Sequence, residues 1–171
     1  MKKFFIKRGK LWMFLTVAML IALVTAGTGT SLAYASSSPV QVPFMGSISG
    51  TVAFTGETTA ALSASGVATY LGFTTYAGNV SDITPTPTGL TNVLVETLTA
   101  ANGDTLTFFC TEVAVEISPG VFQATDQWVV IGGTGRFEGA TGQGTADTHV
   151  DLNNGTFTKQ LTGTISAPSG K

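Results

Sequence analysis

Two Asn-Gly dipeptides, Asn102-Gly103 and Asn154-Gly155, each separate runs in which apolar and polar residues alternate, and nothing beyond residue 35 repeats its apolar residues at helical spacing. Asn and Gly tolerate the positive φ of a tight hairpin turn, while alternation at period two sends successive side chains to opposite faces of a strand. The chain therefore reads as all-β. In the first hairpin, residues 90–101 and 104–117 flank a two-residue loop, which pairs Ala101 with Asp104. Val95 then faces Cys110, Thr97 faces Phe108 and Val93 faces Glu112. One face collects Val93, Val95, Leu106, Phe108, Cys110 and Glu112; the other collects Leu94, Glu96, Leu98, Phe109 and Val113.

The second hairpin, residues 144–153 and 156–166, pairs Asn153 with Thr156. Leu152 then faces Phe157 and Thr148 faces Leu161, on an apolar face shared with Val150 and Ile165. Asp147, His149 and Asp151 fall on the polar face with Thr158, Gln160 and Thr162. Residues 46–55, 66–80 and 121–131 read as further strands, the last with Phe122, Trp128 and Val130 in phase. Residues 82–89 (DITPTPTG) carry two prolines that lack backbone donors, and read as a loop or edge connection. With glycine-bent pieces counted separately, seven or eight strands result. A small antiparallel barrel of about eight strands is the economical solution, because closure removes exposed edges.

The N-terminus reads as a secretory signal peptide over residues 1–35: five basic residues, an apolar run over 11–26, then small residues ending in Ala33-Tyr34-Ala35. Cleavage there leaves a polar leader (36–45), one barrel domain (46–168) and a short tail (169–171). The expected location is extracellular, with no membrane association after cleavage. Arg136, Lys159 and Lys171 are then the only bases against ten acids. Three scattered cations cannot form the basic patch that nucleic acid demands. Cys110 is the single cysteine, so packing must stabilise the domain without an internal disulfide, and an inert buried thiol is the expectation.

Residues 132–144 (GGTGRFEGATGQG) hold six glycines in thirteen positions. A dinucleotide fingerprint fails because Glu138 stands where the third glycine is needed and no helix pattern follows; a phosphate loop fails for want of Gly-Lys-Ser/Thr. Gly132, Gly133, Gly135, Gly139, Gly142 and Gly144 instead suit bends and close backbone approach at a barrel corner, with Phe137 plugging one end of the interior.

This stretch resembles the GG-S/T-G-x-F-x-G-A-x-G segment of the allene oxide cyclase barrel superfamily, which includes the dirigent proteins and exported bacterial members of unassigned function. LGFTTYAGNVS (71–81) and TAANGDTLTF (99–108) are similar to segments of the bacterial members. The resemblance implies an eight-stranded barrel with an internal cavity, often a homotrimer, and chemistry without a cofactor. It carries over no catalytic residue; Arg136 stands where some dirigent proteins place an acid.

A pocket is expected around Phe108, Cys110, Glu112, Val95, Trp128 and Tyr76, with burial raising the carboxyl of Glu112 toward a proton-transfer role. Asp147, His149 and Asp151 alternate on one strand, but the outer two lie ~13 Å apart along it and cannot share an ion, so no metal site is expected. No cofactor is expected either. Three functions stay open: a secreted barrel binding a small hydrophobic ligand or a surface partner without catalysis, a cofactor-free cyclase or isomerase acting through Glu112 or Glu96, and a structural cell-envelope module.

Overall fold

A computed structural model describes residues 39–169. The signal peptide expected over 1–35 lies outside the described residues. Eight strands follow one another: β1 (Gln41–Phe54), β2 (Ala60–Ala68), β3 (Gly72–Thr86), β4 (Gly89–Ala100), β5 (Thr105–Ser118), β6 (Val121–Gly133), β7 (Gly142–Asp151) and β8 (Thr156–Ser166). Each pairs antiparallel with its neighbours in sequence, and β8 returns to β1, closing the barrel. No edge strand is left between consecutive partners. β1 starts at Gln41, so residues 41–45, set aside above as leader, are strand. Phe44 explains why: it is fully buried, and a core side chain there fixes the backbone that carries it.

The two prolines inside strands sit where a donor is not needed. β2 pairs with β1 from Gly46 onward and with β3 only as far as Val80. Pro43 and Pro85 therefore lie on overhanging ends hydrogen-bonded on one side, and the segment expected as a loop extends β3 to Thr86 past a bulge at Asp82.

Both hairpin registers differ from the sequence reading. Thr99 pairs with Thr105, and Ala101, Asn102 and Gly103 form a three-residue loop with Gly103 at φ 87°. That is the turn-plus-bulge alternative to a two-residue loop. Asp104 closes the hairpin opposite Ala100, whose N–H donates to its carbonyl (2.9 Å), and its carboxylate accepts hydrogen bonds from Asn102 (2.9 Å) and from Arg136 across the barrel end (2.9 Å). The slip of one residue reverses one strand's faces against the other. Leu94, Glu96 and Leu98 consequently share the interior with Phe108, Cys110 and Glu112, while Val95, 43% exposed, points outward. In the second hairpin Asp151 pairs with Thr156 and Thr148 with Lys159, a slip of two that leaves the faces as expected.

The two barrel ends differ. At one end the β6–β7 connection makes a single 3-10 turn, Gly135–Phe137, and buries Phe137 to 1% exposure. Behind it Phe44, Phe108 and Trp128 pack as an aromatic triangle with ring centres 5.1–5.9 Å apart. A Cβ on Gly135 would overlap the Asp104 carboxylate, and one on Gly144 would overlap both the Trp128 ring and the Thr162 carbonyl. Those glycines allow close approach, as a barrel corner needs. The opposite end is open.

Candidate functional site

Alternation places residues of β4 to β8 inside the barrel whatever their polarity, and five of them carry a carboxyl, ammonium or amide group. Lys159 lies between Phe157 and Leu161 on β8, Asp126 between Ala124 and Trp128 on β6, and Glu96 between Leu94 and Leu98 on β4. Asn92 and Glu112 are direct partners across β4 and β5. All five are buried.

Their contacts form one network. The Lys159 ammonium donates to Glu96, and it lies 3.0 Å from Asp126 Oδ2. Tyr76 Oη donates to the same Glu96 oxygen at 2.6 Å, and Thr148 Oγ1 donates to Asp126 at 3.0 Å. Asn92 Nδ2 donates to Glu112 Oε1 at 2.7 Å. Burial alone would push the Lys159 ammonium down; the adjacent carboxylates, Glu96 foremost, reverse this and hold it well above the usual lysine range. Lys159 is thus a fixed positive charge. Burial, followed by repulsion from Asp126, pushes Glu112 up to about 8. Burial likewise raises the Tyr76 hydroxyl and the Cys110 thiol, leaving both protonated at neutral pH.

Above this network lies a cavity of about 70 Å³. Leu62, Val80, Leu94, Ala114 and Val150 contribute apolar walls; Phe54, Ile83, Leu90, Phe122 and Leu152 come from strand ends at the open end of the barrel. Asn92, Glu112, Thr148 and Lys159 form its polar floor. Of the six residues expected to line a pocket, Glu112 does so. Phe108, Cys110 and Trp128 face inward but pack in the core beside the cavity, Tyr76 supports Glu96, and Val95 is outside.

The sequence reading missed Lys159, Asp126 and Asn92. The signal for the first was present, since position 159 shares its parity with Phe157 and Leu161 on the face already taken as apolar. Asp147 and His149 are exposed on the outer face, and Asp151 caps its own turn by accepting from Asn153 and Asn154. Among the described residues no three of His, Cys, Asp or Glu are grouped to hold a metal ion.

No protein-family model and no curated protein matches the chain. A solved structure does: that of a pterocarpan synthase dirigent protein, with a TM-score of 0.52 at 14% identity, covering 87% of this chain and all of the other. The fold is thus that of the dirigent-like barrel. At this identity the likeness concerns architecture and carries over none of that protein's residues.

Proposed function

We propose that this barrel is an exported carrier that binds a small hydrophobic ligand in its open end without transforming it. The carrying observation is the apolar cavity that ends on a buried polar floor: walls of this kind exclude water, and a few convergent polar groups orient what enters. Lys159 supports the same reading. An ammonium held by two carboxylates is unsuited to act as a nucleophile, which requires a neutral amine.

Binding is tested by calorimetric titration with a neutral linear alcohol such as octanol and by mass spectrometry of organic extracts of the gently purified protein. Saturable uptake, lost in Leu62→Trp with an unchanged unfolding midpoint, is the expected result. Absence of saturable uptake together with a clean extract overturns the reading.

A cofactor-free isomerase is the second reading, and one observation favours it. Glu112 lines the cavity with its carboxyl raised to about 8, so it holds a proton at neutral pH that it could deliver to a bound molecule. NMR titration of the glutamate side chains decides its premise: if every one titrates near 4.5, there is no such acid.

A homotrimer belongs to the proposal as well. Val95, Phe109 and Val129 stand side by side on the outside of β4, β5 and β6, and a second copy covering them would remove this apolar row from water. Sedimentation equilibrium should give three chains, and Phe109→Lys one; a monomeric parent protein sinks that part.

A further inference from the structure

The cavity floor holds an imbalance of charge and of hydrogen bonds. Lys159 is the one buried cation among the described residues; it contacts Glu96 and Asp126, and Glu112 is a third buried acid. With Glu112 protonated, two carboxylates still stand against one ammonium. Of the buried side-chain atoms left without a partner, Asn92 Oδ1, Glu96 Oε2 and Asp126 Oδ1 are all acceptors, and Asn92 is the one of these residues that lines the cavity. Unpaired buried acceptors and uncompensated buried charge are both costly. Asn92 is only 7% exposed, and it lines the cavity. What the floor lacks is a donor for Asn92 Oδ1.

Each class of ligand head can be weighed against that deficit. A carboxylate would add negative charge and bring no donor, while a hydroxyl brings one donor and no charge. An ammonium brings three donors and a charge that pairs with the Glu112 carboxylate. A bare metal ion fits poorly, because hard cations take six or more oxygens and only Asn92, Glu112 and Thr148 offer oxygen to the cavity.

The walls restrict the rest of the molecule. A cavity of about 150 Å³ is known to take a benzene ring, and this one has about half that volume. At that volume an unbranched alkyl chain fits better than a ring, and Leu62, Val150 and Phe54 are among the apolar residues that would line it.

Resting on the ligand-binding reading above, we propose that the cavity binds a primary alkylammonium ion, with its head between Glu112 and Asn92 Oδ1 and its chain directed to the open end. A cation against Glu112 favours the carboxylate, so uptake expels the proton of Glu112 to the solvent, and the ammonium takes the place of that proton with the net charge of the floor unchanged. The groups facing Glu112 are Asn92 on β4, Asp126 on β6, Thr148 on β7 and Lys159 on β8, with Glu96 and Tyr76 beyond Lys159; of these, only Lys159 opposes a second cation.

The test is calorimetric titration of the purified protein at pH 7 with octylammonium, octanol and octanoate, each in phosphate and in Tris, whose ionisation heats differ. Octylammonium should bind at least roughly tenfold more tightly than octanol, octanoate least of all, and the buffer difference should report release of about one proton per amine and none per alcohol. Glu112→Gln should cost the amine about tenfold in affinity and abolish the difference between the two buffers. If that variant fails to fold, the buffer comparison on the parent protein decides alone. Amine binding without proton release, or octanoate binding as tightly as the amine, overturns the ammonium proposal while the ligand-binding reading stands. No binding by any of the three, together with a clean organic extract, overturns both.

Discussion

A lysine enclosed in a barrel keeps its charge only while its counter-charges stay with it. Removing one partner of a buried ionic group is more damaging than removing all of them, because the survivors are left charged and unpaired. Lys159→Met should therefore lower unfolding stability by roughly 3–5 kcal/mol. The triple variant Lys159→Met, Glu96→Gln, Asp126→Asn should recover much of that loss, both read by urea denaturation. Glu112 acts with the opposite pH sign from a surface carboxylate. Its folded value of about 8 lies above the ordinary 4.5, so the folded chain holds a proton that the unfolded chain releases. Its contribution is fully present below about pH 4.5 and is lost as pH rises through 8. Denaturation midpoints of the parent protein, minus those of Glu112→Gln, should fall across that window; a flat difference would show that Glu112 titrates normally.

At the scale of elements, the β6–β7 connection seals one end of the barrel by bringing backbone close to side chains. Gly144 and Gly163 lie under the Trp128 ring, whose Nε1 donates to the Thr145 carbonyl at 2.9 Å. Gly144→Ala should cost about 1–3 kcal/mol through overpacking and alter the tryptophan near-ultraviolet dichroism. Phe137→Ala, which opens a void at the sealed end, should cost about 3–5 kcal/mol. The same connection sets the first hairpin. Arg136 holds Asp104 by a 2.9 Å ion pair, and that hydrogen bond keeps the carboxyl of Asp104 below its usual range. An Asn-Gly pair alone is compatible with a loop of two residues or three, which is why the register was not legible from 102–103 and why Glu96 and Glu112 read as lying on opposite faces.

Across the whole molecule, the strand class, the barrel and the common face of Phe108, Cys110 and Glu112 could be read from the sequence, whereas which face looks inward could not. Strand geometry fixes alternation residue by residue, with no knowledge of what lies opposite. Lys159 and Asp126 were legible by the same parity, although nothing in their own strands indicates a partner. Closure alone brings β4, β6 and β8, strands that are not hydrogen-bonded to one another, to a common interior where Glu96, Asp126 and Lys159 meet. The sequence by itself determined the pleated class, the spacing of turns and the side of each strand on which a residue falls. Which end of the barrel stays open, and which acids share one cation, depended on loop lengths settled by contacts such as Asp104 with Arg136, 32 residues apart. Such contacts exist only once the chain has closed, because the energy that selects them comes from groups brought together by the fold.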